Sequence, residues 1–312
     1  MKPEIIVTGK IFQPTQDALD QSFTSHKLYE TADRAAFLRQ HAPKVRALAT
    51  FGSSGADAAL MDQLRKLELI SNFGVGVDAI DLAAAAKRNI IVTNTPDVLN
   101  DCVADTAMAL VLNTLRRIPQ SESYLRASQW GTRGAYPLTT SLGGKTLGVL
   151  GLGRIGEAIA KRAEAFGMKI RYHNRSRKPV AWPYEPNAVS LAKNSDVLLI
   201  AAPGGAETLH IVNAAVLDAL GPKGHVVNIA RGSLIDEAAL LRYLREGKIA
   251  GAGLDVFDNE PKINPAWFAL ENAVLLPHVG SATMETRTAM GNLQVENLRL
   301  HFAGKPVKTP VK

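Results

Sequence analysis

Short apolar runs alternate with helix-like stretches along this chain. Ile5 to Thr8, Val45 to Thr50, Leu67 to Asn72 and Ile90 to Thr93 form a first series, and runs near 146–150, 168–173, 196–201, 225–230, 251–256 and 273–277 form a second. Runs of this length, each set off by a turn signal or a helix, predict parallel strands in two successive α/β sheets. Between the series, Asn100 to Arg116 places Val103, Ala107, Leu110, Val111 and Leu115 on one helical face, and its apolar middle predicts a buried crossing helix. Ser281 to Phe302 again reads as a helix, ahead of a Pro- and Lys-rich tail from Gly304. The expected division is one domain from residues 1–98 plus 285–312 and a second, the cofactor domain, from 99–284, with a ligand cleft where the chain crosses. Beyond the α/β rhythm, the two halves share no visible repeat.

The run Leu147-Gly148-Val149-Leu150 leads into Gly151-Leu152-Gly153-Arg154-Ile155-Gly156 and then a helical stretch. This is a G-x-G-x-x-G turn between strand and helix, where glycines permit a tight turn, close approach of backbone N–H groups to a pyrophosphate, and close helix packing. A dinucleotide is the expected cofactor. About twenty residues on, an NAD site carries a carboxylate for the ribose hydroxyl. Here the second strand runs instead into Asn174-Arg175-Ser176-Arg177-Lys178, groups that attract a 2′-phosphate. The corner therefore favours NADP(H), with NAD(H) as the alternative cofactor; a merely solvated basic loop is the competing reading.

Composition narrows the class of partner. The 312 residues are 46% hydrophobic and 21% charged, an ordinary globular balance. No apolar run approaches the ~18 residues of a membrane span, no signal-peptide pattern follows Met1, and the single cysteine, Cys102, excludes an intramolecular disulfide. A cytoplasmic protein with no membrane partner is expected. The net charge of +7 is spread rather than gathered into a stripe, which argues against nucleic acid and for small anionic ligands.

Three polar residues stand at or just beyond predicted strand ends, the side on which an open parallel sheet binds its ligand. Arg231 follows Val226 to Ala230, Glu260 follows Leu254 to Phe257 after a short turn, and His278 follows Val274 to Pro277. Arg231 offers a planar fork of donors for a carboxylate and for a carbonyl oxygen gaining charge. His278 is a natural proton donor to that oxygen, and Glu260 on its other ring nitrogen would fix the tautomer and favour the protonated ring. Singly, a surface ion pair or a core histidine would explain each; together beside a dinucleotide turn they predict an acid–base relay. In the first half, Asn72-Phe73-Gly74-Val75-Gly76-Val77-Asp78 ends a strand in a glycine-rich turn whose N–H groups suit a carboxylate. A purely steric turn is the alternative there.

On these motifs, together with Asn228-Ile229-Ala230-Arg231-Gly232, Gly253-Leu254-Asp255-Val256-Phe257 with Glu260-Pro261, and Pro277-His278-Val279-Gly280-Ser281-Ala282-Thr283, the chain resembles the D-isomer-specific 2-hydroxyacid dehydrogenase family nearly end to end. Its glyoxylate/hydroxypyruvate and hydroxyphenylpyruvate reductase members are the most similar in these segments. The resemblance implies an α/β fold of two Rossmann-like/flavodoxin-like domains with parallel sheets and an interdomain active-site cleft. It implies NADPH-dependent reduction of a small 2-oxo acid, a homodimer, and no metal. Val75 and Gly76 would clamp the substrate, and Pro203, Ile229, Ala230, Asp255 and Gly280 would contact the cofactor along with the glycine turn. Trp130 would reach a substrate pocket or a partner subunit, or pack in an interface. Two rivals stay open: a bulkier substrate such as hydroxyphenylpyruvate or 2-ketogluconate, with Phe51 and the Phe51-Gly52-Ser53-Ser54 loop lining its pocket, and a dinucleotide-sensing regulator without turnover.

Overall fold

Strands form where branched and apolar residues are buried on both faces, as expected of parallel sheets covered by helices. The computed structural model describes residues 2–52 and 54–311. It separates into two compact units, Met1–Leu99 with Ala282–Lys312, and Asn100–Ser281.

In the first unit, β1 (Glu4–Val7), β2 (Thr24–Lys27), β3 (Ala47–Phe51), β4 (Leu69–Phe73) and β5 (Ile91–Thr93) form one parallel sheet in the order β2-β1-β3-β4-β5. This is the flavodoxin-like order. Strand β2 was not expected from sequence: Thr24-Ser25-His26-Lys27 has no apolar residue, and it pairs only as an edge strand on β1. The helix Met284–Phe302 packs against β4, where the buried Gln294 amide donates to the carbonyls of Thr50 (3.1 Å) and Ser71 (2.8 Å). It starts later than the sequence pattern suggested because Thr283 caps it, its side chain accepting from the Thr286 N–H.

In the second unit, β6 (Thr146–Leu150), β7 (Lys169–His173), β8 (Val197–Ile200), β9 (His225–Asn228), β10 (Gly251–Leu254) and β11 (Ala273–Leu275) form a parallel sheet in the order β11-β10-β9-β8-β6-β7. Read from β7, this is the first unit's order with one strand added. The two halves thus share a topology as well as a rhythm. Helix Asn100–Arg116 spans its predicted range and buries Val103, Ala107, Leu110, Val111 and Leu115 as predicted. Two strands stop earlier than their apolar runs: β9 ends at Asn228, whose Oδ1 accepts the Ala230 N–H at 2.9 Å and turns the chain out of the ladder, and β10 ends at Leu254, just before Asp255.

Candidate active site

At the carboxyl end of β6 the glycine turn is built for close approach. Gly151 has φ +100°, and a Cβ there would lie 2.4 Å from the Ala202 nitrogen on β8's exit. A Cβ on Gly156 would meet the Gly151 carbonyl oxygen at 2.4 Å, which is why the helix Arg154–Ala165 packs so tightly on the turn. Gly153 has open space where a side chain would stand and caps the helix without a side-chain hydrogen bond. The first N–H groups of that helix therefore face an approach that no side chain of the turn obstructs, and the residues fit a dinucleotide pyrophosphate. Leu152 is buried, and Arg154 and Ile155 open the helix.

At the end of β7, Asn174 brackets the turn: its Oδ1 accepts the Leu152 N–H at 2.6 Å and its Nδ2 donates to the Leu152 carbonyl at 3.2 Å. Arg175 and Ser176 are exposed beyond it. Arg175 is paired with Glu207 at 3.0 Å, the two side chains being 89% and 78% exposed. The sequence reading had placed no carboxylate at this corner; Glu207 brings one from the loop after β8. Such an exposed pair is weak, and a phosphate that accepts charged hydrogen bonds outcompetes it. Pro203 is exposed on that same loop, its carbonyl accepting from the Thr208 hydroxyl at 2.8 Å.

The ends of β9, β10 and β11 carry the charged groups. Asn228 shapes the first turn, accepting from Ala230 and donating to the Arg231 carbonyl at 2.8 Å. Ile229 and Ala230 are buried beneath it, and Arg231 Nη1 donates to the Ala230 carbonyl at 2.6 Å. A Cβ on Gly232 would lie 2.0 Å from the Phe257 carbonyl carbon, so only glycine lets the Arg231 turn lie directly on the turn that carries Glu260. Glu260 Oε1 accepts the Phe257 N–H at 2.9 Å, and Oε2 meets His278 Nδ1 at 2.6 Å. With Nδ1 held by a carboxylate, we assign it a proton, which leaves Nε2 for a ligand. The side chains are 50% exposed for His278 and 31% for Glu260. Burial raises the Glu260 pKa, but the His278 hydrogen bond, the Phe257 N–H and the nearby Arg231 charge outweigh it and hold the carboxyl below its ordinary value.

His278 has φ +55°, a left-handed conformation that costs a non-glycine residue of order 1–3 kcal/mol. Asp255 holds it there. Its carbonyl accepts the His278 N–H at 2.9 Å, and its two carboxylate oxygens accept from Val279 at 2.7 Å and Gly280 at 2.8 Å. Asp255 is 1% exposed, and burial raises its pKa despite those two N–H groups. Gly280 is buried against it; a Cβ there would stand 2.9 Å from Asp255 Oδ2. Asp255 and Gly280, expected from the family resemblance to contact the cofactor, also form the clamp that presents His278.

In the first unit, the Asn72 side chain accepts from the Thr50 hydroxyl at 2.9 Å and donates to the carbonyls of Gly76 (2.9 Å) and Gly74 (3.3 Å). Asn94 Nδ2 donates to the Val75 carbonyl at 2.9 Å. With the carbonyls drawn inward, the N–H groups of Val75 and Gly76 have no acceptor among the described residues. Phe51 is partly buried, its ring meeting Phe73 edge-on at 5.5 Å, with the Arg287 guanidinium 5.8 Å from one ring centre and 5.7 Å from the other. Ser53, in the loop beside it, lies outside the described residues. A cavity of about 720 Å³ opens at the opposite, amino ends of the second unit's strands, beside Thr114, Lys145 and His225. It contains no predicted site residue, and burial pushes its His225 down to about 4, a neutral core imidazole.

The profile of the D-isomer specific 2-hydroxyacid dehydrogenase NAD binding domain matches residues 108–280, more than half of the chain. The chain belongs to the D-isomer specific 2-hydroxyacid dehydrogenase family. Within this family it is 48% identical, over 95% of either chain, to a glyoxylate/hydroxypyruvate reductase of Arabidopsis thaliana. It is also 48% identical over 297 residues, again 95% of either chain, to a hydroxyphenylpyruvate reductase of Plectranthus scutellarioides. Among solved structures, an NADPH-dependent glyoxylate/hydroxypyruvate reductase of Sinorhizobium meliloti in complex with NADP and malonate superposes with TM-score 0.94 at 48% identity, covering 100% of this chain and 97% of that one.

Two positioning residues escaped the sequence reading, Asn72 and Asn228. Each is a buried asparagine at a strand end, and that placement is the signal that marks them.

Proposed function

We propose that this dehydrogenase reduces small 2-oxo acids, glyoxylate and hydroxypyruvate, to D-2-hydroxy acids with NADPH. The observation that carries the proposal is the Glu260–His278 pair, held at 2.6 Å on the carboxyl side of the sheet that bears the glycine turn. The named relatives support the substrate class and the NADP-bound neighbour supports the cofactor.

Bound NADPH supplies the hydride for the carbonyl carbon. The pyrophosphate is assigned to the first N–H groups of the helix, residues 154–156, with the turn at 151–153 shaped to admit it, its own N–H groups being taken by His173, Asn174 and Gly151, and the 2′-phosphate to Arg175 and Ser176 with Asn174 fixing their corner. Pro203, Ile229, Ala230, Asp255 and Gly280 would hold the nicotinamide end of the cofactor. In the first unit the Val75 and Gly76 N–H groups are assigned to a carboxylate, and in the second the Arg231 fork is assigned to binding the substrate and polarising its carbonyl. His278 gives its Nε2 proton to the carbonyl oxygen as the carbon takes the hydride. Glu260 keeps Nδ1 protonated throughout and stabilises the imidazolium before transfer. In the reverse direction the neutral ring accepts the alcohol proton.

The equal identity to a hydroxyphenylpyruvate reductase supports a second reading with a bulkier acid. Initial rates with glyoxylate, hydroxypyruvate, hydroxyphenylpyruvate and 2-ketogluconate, each with NADPH and NADH, separate the two. Fastest reduction of the small acids with NADPH is expected. A preference for the aryl or sugar acid favours the second reading, and cofactor binding with no turnover on any acid favours a regulator. We infer also a cytoplasmic homodimer: Ile118, Leu125, Trp130 and Leu138 are large apolar side chains left exposed on one stretch of the second unit. Light scattering tests the assembly, and a monomer at assay concentration contradicts it. No helix among the described residues is long and apolar enough to cross a membrane.

A further inference from the structure

Away from the residues assigned to the reaction, the first unit gathers a second group of coordinating side chains. Glu4 opens β1, His26 lies in the edge strand β2, and His41 closes the helix Arg34–His41. Glu4 Oε2 lies 3.0 Å from His26 Nε2, and the His26 and His41 rings have centres 3.9 Å apart and planes tilted by 30°. One ligand atom from each residue lies within 4.8 Å of the other two. All three side chains are partly buried, and Phe37 walls the group, 4.7 Å from the His41 ring and 6.5 Å from the His26 ring.

We propose that Glu4, His26 and His41 form a binding site for one divalent ion of the zinc class per chain, tying the edge strand and the helix to β1. Two imidazole nitrogens and a carboxylate oxygen are a donor set that Zn²⁺ accepts, with bonds of about 2.0–2.2 Å and the remaining position left to water. A tetrahedral ion needs its ligand atoms about 3.3 Å apart, so the group has to close by no more than about 1.5 Å, a side-chain adjustment. The ion takes the place of the direct contact between Glu4 and His26. Lys44 Nζ stands 4.0 Å from Glu4 Oε1 on an exposed side chain and is the competing cation.

The test is a calorimetric titration of the full chain, freed of any affinity tag, with ZnCl₂, paired with the visible spectrum on adding Co²⁺. One ion per chain is expected, with the tetrahedral Co²⁺ band. His26→Gln and His41→Gln should each weaken binding at least about tenfold, since a three-ligand site loses one donor. Lys44→Ala leaves the ligands intact and should tighten binding. Circular dichroism of the ion-free variants checks their fold, and the Lys44→Ala comparison stands even if a histidine variant does not fold. Absence of saturable Zn²⁺ binding overturns the proposal, as does unchanged affinity in folded His26→Gln and His41→Gln, or in Lys44→Ala.

Discussion

In the first unit the strand ends present Thr50, Asn72 and the turn at Thr95, neutral groups whose hydrogen bonds run inward and shape the loop at 74–76. In the second unit, strands in the same order are followed by Arg231, Asp255, Glu260 and His278, titratable groups held close to one another. One sheet topology thus supports a neutral cluster of backbone groups and a cluster of titratable side chains, to which the proposed function gives the proton. What distinguishes them is the few residues after each strand, which is where function is read in folds of this kind.

If the proton resides in the second unit alone, His278→Ala should lower turnover about 10²–10⁴-fold, the usual contribution of a general acid, with NADPH affinity retained. Stopped-flow reduction and fluorescence titration of NADPH measure the two separately; a fully active variant removes His278 from the chemistry. Arg231→Lys keeps the charge and loses the planar fork, so kcat/KM should fall about 10²-fold or more, in kcat as well as KM. Near-parental turnover on glyoxylate would show that the fork is not used.

The first unit should respond differently. Asn72→Ala frees the carbonyls of Gly74 and Gly76 and, if the loop binds substrate and moves no proton as proposed, should raise KM for the 2-oxo acid about tenfold while kcat changes little. A loss confined to kcat would mean that the neutral cluster enters the chemical step. The smallest effects belong to the cofactor corner. Arg175→Ala should narrow the NADPH/NADH preference by about ten- to a hundredfold, as expected for a charged hydrogen bond to phosphate. Glu207→Gln releases Arg175 from an exposed ion pair and should tighten NADPH by less than about fivefold. Unchanged cofactor discrimination in Arg175→Ala would mean that the corner has been misassigned.

Much of this was legible in sequence because it is local. The glycine turn, the apolar strands and the order Arg231, Glu260, His278 each announce themselves within a few residues. Strand β2 did not, since an edge strand needs no apolar run, and sheet order did not, since it is decided by pairing between distant strands. The supports of the site are equally non-local. Gly232 matters because the Phe257 main chain lies against it, Asp255 because the turn at 278–280 closes onto its carboxylate, and Glu207 because a loop after β8 reaches the end of β7. In each case the residue's neighbours along the chain do not name the partner.

The central claim is that Glu260 sustains the proton on His278, and it is tested most directly by the pH dependence of reductive kcat/KM in the parent and in Glu260→Gln, with a solvent isotope effect confirming that proton transfer is visible. Because the Glu260 carboxyl is held below its ordinary value, it stays ionised as pH falls into the usual carboxylate range, and the parent should lose activity on the acid side only below that range. Glutamine cannot take up a proton there and does not charge, so Glu260→Gln should have a lower reductive kcat/KM and should lose the acid limb that the Glu260 carboxyl gives the parent. An undiminished rate with the same acid limb in Glu260→Gln under chemistry-limited conditions would contradict the relay.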